Sequence, residues 1–111
     1  RRNPHLATGD ARVQLPGGSN PPVYPAKAPE KRYHSFQQSG RYTSACAGMI
    51  YRDRLLFPND PTIAFICEPF HNLVQALRLE DDGVSFQATR LGGEGEPDFF
   101  ASSDRWCRPV M

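Results

Sequence analysis

An acid, a proline, an imidazole and an amide stand close together at Glu68, Pro69, His71 and Asn72, between two runs of strand-forming residues. An imidazole at the turn between strands can take the proton of a hydroxyl, and a carboxylate stands three positions before it and an amide directly after. The same residues also make a sound turn: His71 would bond backbone carbonyls, Glu68 would cap a neighbouring amide and Pro69 would fix the chain direction. Both readings stand at this point, with Glu68 and Asn72 supporting the site in either. Arg108, between Trp106 and Pro109, offers a planar fork of donors that a lysine could not reproduce. Its structural alternative is an ion pair with Asp104 or Glu68.

The remaining reactive side chains point to less. Three cysteines, Cys46, Cys67 and Cys107, are too few and too far apart for a metal knuckle, and no Cys-x-x-Cys-His is present to attach a haem. If the strands that carry Cys46 and Cys67 pair about a centre near residues 56 and 57, the two face each other at a span that a disulfide can bridge. Closing that loop would contribute about 3 kcal/mol in the chain-entropy treatment. Buried free thiols are the other reading. Arg52 and Asp53 suit a salt bridge at the surface or between neighbouring units. Asn59 and Asp60 lie between Pro58 and Pro61 in a plain turn rather than a twelve-residue calcium loop. His5 and His34 suit packing of the N-terminal stretch, as does Tyr33. No Gly-x-Ser-x-Gly and no phosphate-cradling glycine loop occurs.

These residues need a scaffold, and the sequence pattern supplies an all-β one. Four strands are predicted, over 42–51 with an interruption at Gly48, 62–67, 73–79 and 84–91. In the third, Leu73, Gln75, Leu77 and Leu79 share one side, an apolar set with a single exception. In the fourth, Val84, Phe86 and Ala88 alternate with Ser85, Gln87 and Thr89, as a half-exposed strand requires. Asp81-Asp82-Gly83 signals a tight hairpin. A helix over 71–80 is the competing assignment, since His71, Val74, Leu77 and Arg78 have nearly helical spacing. Most of the eleven prolines and nine glycines of the 111-residue chain fall in residues 1–30 and 83–109. Residues 1–41 are therefore read as an irregular arm and 42–91 as the packed unit. Residues 92–111 form a flexible loop and a lead-out, re-anchored at Phe99 and Phe100. Four antiparallel strands joined by short turns make one β-propeller blade, a unit whose faces are covered by its neighbours.

A net charge of +1 with no basic stripe gives a nucleic acid or an anionic membrane no electrostatic footprint. No apolar run approaches the roughly 18 residues needed to span a bilayer, and Arg1-Arg2-Asn3-Pro4 does not open a signal peptide. An export signal, if there is one, is expected upstream of these residues.

Taken together, Cys67-Glu68-Pro69-Phe70-His71-Asn72-Leu73-Val74, Tyr42-Thr43-Ser44-Ala45-Cys46, Ile50-Tyr51-Arg52-Asp53 and Ala101-Ser102-Ser103-Asp104-Arg105-Trp106 resemble a known family, as does Arg108-Pro109-Val110. It is that of the large membrane-bound dehydrogenases of planctomycetes, whose β-propeller is similar to that of quinone-dependent sugar dehydrogenases. The resemblance runs from Asn3-Pro4-His5-Leu6 to Val110 and is weakest over 7–22 and 91–97. It implies a segment of a longer periplasmic or secreted protein, truncated near Met111 where the next blade begins. Helical repeats and a cytochrome c-like haem domain would lie elsewhere in that protein. The implied activity is oxidation of a sugar or other alcohol with pyrroloquinoline quinone, a cofactor that the resemblance allows calcium to accompany. His71 would be the base and Arg108 the clamp on the quinone's carboxylates, and the implied partners are the remaining blades. The chain departs from the family pattern at Gln75 and Ala76, where His-Arg is common, and at Cys107, where an aromatic residue is usual. A non-catalytic propeller that binds carbohydrate or protein, and a free-standing secreted β protein, are the alternatives.

Overall fold

The structure, a computed structural model, describes residues 21–27, 40–59, 62–93 and 95–110. His5, Tyr33, His34, Asp60, Pro61 and Met111, together with the assignments made for them above, lie outside the described residues. The sheet is antiparallel and follows chain order: β1 (Cys46–Tyr51), β2 (Ile63–Glu68), β3 (Leu73–Asp82) and β4 (Ser85–Arg90). A short β5 (Phe100–Ala101) pairs with β3 at Leu73 and Val74. No helix occurs among the described residues, so residues 71–80 are turn and strand. Burial decides this. Leu73, Gln75, Ala76 and Leu77 are all buried, on both faces of a central strand, whereas a helix would bury one stripe.

Opposed residues share a face, and the two faces of the sheet differ in chemistry. Phe65↔Ala76 and Ile63↔Arg78 face one way, with Ile63, Phe65 and Ala76 forming the core. Tyr51, Phe57 and Phe99 crowd Phe65 there, at ring separations between 5.0 and 6.2 Å. Glu68↔Leu73, Ile66↔Gln75 and Ala64↔Leu77 face the other way, where two buried polar side chains sit among aliphatic ones.

Local chemistry accounts for the turns. Glu68 and Leu73 close a hairpin whose four loop residues end at Asn72, with φ 58°, a conformation that asparagine tolerates better than most residues. β3 runs on through Asp81 and Asp82, which were expected in the turn. The β3–β4 loop is only Gly83 and Val84, with Gly83 at φ 62°. Val84, expected in the fourth strand, is therefore an exposed turn residue. Phe86 is also largely exposed, because β2 stops at the partner of Arg78 and the ribbon beyond it has no third strand. In β1 the interruption expected at Gly48 is a bulge in which Ala47, at φ 50°, and Gly48 together face Ile66. The first strand begins at Cys46, not at 42. The residues before it have another task.

Candidate functional site

Residues 42–44 leave the sheet to surround the Glu68 carboxylate, which is fully buried. The amides of Thr43 and Ser44 donate to Glu68 Oε2 at 3.0 and 2.9 Å. Thr43 Oγ1 and the Phe70 amide donate to Oε1 at 3.2 and 3.3 Å. His71 Nδ1 stands 3.6 Å from the same oxygen. Burial pushes this carboxyl up, but the His71 imidazole beside it and the hydrogen bonds of Ser44 and Thr43 outweigh that and hold Glu68 below its ordinary value. The expected capping of a neighbouring amide is present, with more donors than the sequence suggested.

His71 is buried, with 1% of its surface exposed, and its ring meets Phe70 edge-on at 5.1 Å. Asn72 fixes the corner from the other side: with its amide assigned the orientation that puts nitrogen toward acceptors, it donates to the carbonyls of Pro69 and Cys107 at 3.2 and 2.9 Å. Ser102 N donates to Asn72 O. Arg108 reaches the same corner, where Nη1 donates to Pro69 O at 3.4 Å, and the rest of its guanidinium is exposed. Glu68, His71 and Asn72, neighbours in one turn, thus meet Arg108, distant in sequence, at one end of the sheet. The Asp104 carboxylate accepts from the Trp106 amide rather than pairing with Arg108. Arg52 and Asp53 lie apart and exposed, with Asp53 Oδ1 accepting from Arg54 N.

Cys46 and Cys67 are direct partners in the β1–β2 ladder, as the expected hairpin centre requires. The structure holds all three cysteines as half-buried free thiols.

A second polar centre was not foreseen. After β4 the chain leaves the sheet and returns at β5, on the β3 edge that faces away from β2; residues 92, 93 and 95–98 lie outside the sheet, and Asp98 reaches Gln75. Arg90 threads this loop, donating to Gly93 O at 2.6 Å, to Glu96 O and, through Nε, to Asp98 Oδ1 at 2.8 Å. The stretch expected to be flexible is tied down because one guanidinium offers a fork of donors to its carbonyls and carboxylate. Asp98 Oδ2 accepts from Tyr24 N, and the Tyr24 ring lies 4.1 Å beneath the Arg90 guanidinium. Gln75 Nε2 donates to Asp98 Oδ1 and Pro22 O, while its Oε1 accepts from Tyr42 Oη at 2.6 Å. Burial, reinforced by Asp98 and Glu68, raises the Tyr42 phenol, so its hydroxyl keeps the proton it donates. Residues 21–23 of the expected irregular arm lie against the sheet, joined by the bridge Pro22↔Arg41 and by Val23 N to Gly40 O. An open cavity of about 230 Å³ is lined by Pro22, Tyr24, Gln75, Leu77 and Arg90. The one sequence signal for this centre was Gln75, the exception in an otherwise apolar strand face.

Fold and site together define an all-β domain with a polar corner at one end of its sheet. The chain belongs to a family described as a domain of unknown function, DUF7133, whose pattern matches residues 1–111. No curated protein and no solved structure matches it.

Proposed function

We propose that this domain is one blade of a β-propeller in an exported, quinoprotein-like dehydrogenase that oxidises a sugar or alcohol and passes electrons to a haem domain elsewhere in the protein. The observation that carries the reading is the meeting of His71, Glu68, Asn72 and Arg108 at one end of a four-stranded antiparallel sheet in chain order. Large apolar side chains left exposed on that sheet, Met49, Ile50, Phe99 and Phe100, suit a unit covered by neighbouring blades. In this reading the Glu68 carboxylate beside the ring favours its protonated form, and the His71 imidazole takes the hydroxyl proton of the substrate. Arg108 keeps an exposed guanidinium beside Pro69, which fits paired hydrogen bonds to a carboxylate of pyrroloquinoline quinone. The quinone, when bound, supplies the hydride acceptor. Among the described residues there is no group of three or more His, Cys, Asp or Glu side chains that could hold a metal ion, and no step is assigned to calcium.

A second reading, a non-catalytic propeller module that binds carbohydrate or protein, is favoured by the near-complete burial of His71. The two are separated in the full-length protein by quinone-dependent oxidation of sugars and alcohols, read with an artificial electron acceptor. His71→Ala is expected to abolish turnover while leaving quinone binding intact. Unchanged turnover would sink the base role, and no quinone-dependent oxidation in the unsubstituted protein would leave the binding module as the reading.

A further inference from the structure

We propose that Cys46 and Cys67 are a disulfide site, and that the bond fastens the backbone ring around Glu68. The two residues are direct cross-strand partners, so both side chains project from the same face of the sheet. Opposed Cα atoms in an antiparallel pair stand about 4.5 to 5.5 Å apart, within the span that disulfides use. Both thiols are half-buried, open to a small oxidant yet shielded by the sheet. Burial raises the Cys67 thiol, and Cys46 adds to the effect, as close neighbours do.

What the bond would hold follows from the chain on either side. Glu68 comes directly after Cys67, and Ser44 is two residues before Cys46. Together Thr43 and Ser44 supply three of the donor groups on the Glu68 carboxylate. The link between those donors and β2 is otherwise weak, because the bulge at Ala47 and Gly48 interrupts the ladder just after Cys46. A covalent tie at 46 and 67 makes good that interruption. Cys107 is held elsewhere, its carbonyl on the Asn72 amide, and has no cysteine opposite it in the ladder.

The chemistry needs a small disulfide such as oxidised glutathione. One thiolate attacks a glutathione sulfur, forming a mixed disulfide and releasing one glutathione. The second cysteine then displaces the other. Two protein thiols lose two electrons and two protons, and one oxidised glutathione becomes two reduced molecules.

The test is to incubate the reduced protein with oxidised glutathione, block remaining thiols with a maleimide, and map the peptides by mass spectrometry. A Cys46–Cys67 cross-link with Cys107 alkylated is expected. Oxidation should also slow hydrogen exchange at the Thr43 and Ser44 amides, and raise the melting midpoint by roughly 10 °C or more. Cys46→Ser and Cys67→Ser should each lose that gain, whereas Cys107→Ser should keep it. Alkylation of Cys46 and Cys67 after oxidation, or a cross-link to Cys107, would overturn the site. A cross-link that leaves exchange at Thr43 and Ser44 unchanged would overturn its role at Glu68. None of these readings depends on dehydrogenase activity.

Discussion

Glu68, at the end of β2, and Asp98, in the loop between β4 and β5, are both buried carboxylates, and they are satisfied by opposite means. Glu68 is met mainly by neutral donors: two backbone amides and a hydroxyl from residues 43 and 44, and an amide of its own turn. Asp98 is met by a permanent cation, Arg90, with Gln75 and the Tyr24 amide completing its shell. The difference matters when a partner is removed. Losing one neutral donor leaves the others in place, while losing either member of a buried ion pair strands a charge. Gln75 and Tyr42 join the two centres, since the Tyr42 hydroxyl bonds Gln75 and the chain just after it wraps Glu68.

Substitutions can test this contrast. Asp98→Ala should be the most damaging, costing about 3 kcal/mol because Arg90 loses its counter-charge and the 92–98 loop its anchor. Urea denaturation would read it, and Asp98→Asn, which keeps hydrogen-bonding atoms, should cost clearly less. Equal losses from both would show that the charge contributes nothing. Glu68→Gln comes next, at about 2 kcal/mol, because one oxygen remains to accept while the charge-assisted bonds are lost.

The Glu68 site also has a pH signature. Its folded value lies below the ordinary 4.5, so its stabilising contribution is complete above that value and is lost as pH falls through the folded one. Denaturation profiles from pH 7 down to about 3 should therefore converge for the native protein and Glu68→Gln. A gap between them that stays constant with pH would refute a depressed Glu68. Tyr42→Phe should have the smallest effect, about 1 kcal/mol, because it deletes one hydrogen bond and leaves Gln75 Oε1 without its donor. Double substitution with Asp98→Asn would show whether the two centres are coupled, since additive losses would mean that the Tyr42 bridge carries no energy between them.

Much of the sheet was legible in the chain. β-branched and aromatic runs located β2, the Leu73 to Leu79 alternation located β3, and Gly83 located the β3–β4 turn to within two residues. The near opposition of Cys46 and Cys67 followed from a hairpin centre alone. Strand ends were less legible: 42–44 look like strand residues by composition, yet the Glu68 carboxylate draws them out of the sheet as donors. Of the candidate site, the Glu68, His71 and Asn72 turn was visible because its parts are neighbours. Arg108 joined it only by a contact thirty-nine residues away.

The sequence by itself determined that strands dominate the packed unit and roughly where they run, because strand alternation and turn chemistry act over a few residues; the exact register that opposes Cys46 and Cys67 is the structure's. Only the tertiary structure decided that Asp98 would draw together Tyr24, Gln75 and Arg90, from segments 74, 23 and 8 residues away. That convergence depends on the path of the 92–98 loop out of the sheet and back. No periodic pattern encodes such a path; it is set by the donors and acceptors that the folded chain must satisfy once they are buried.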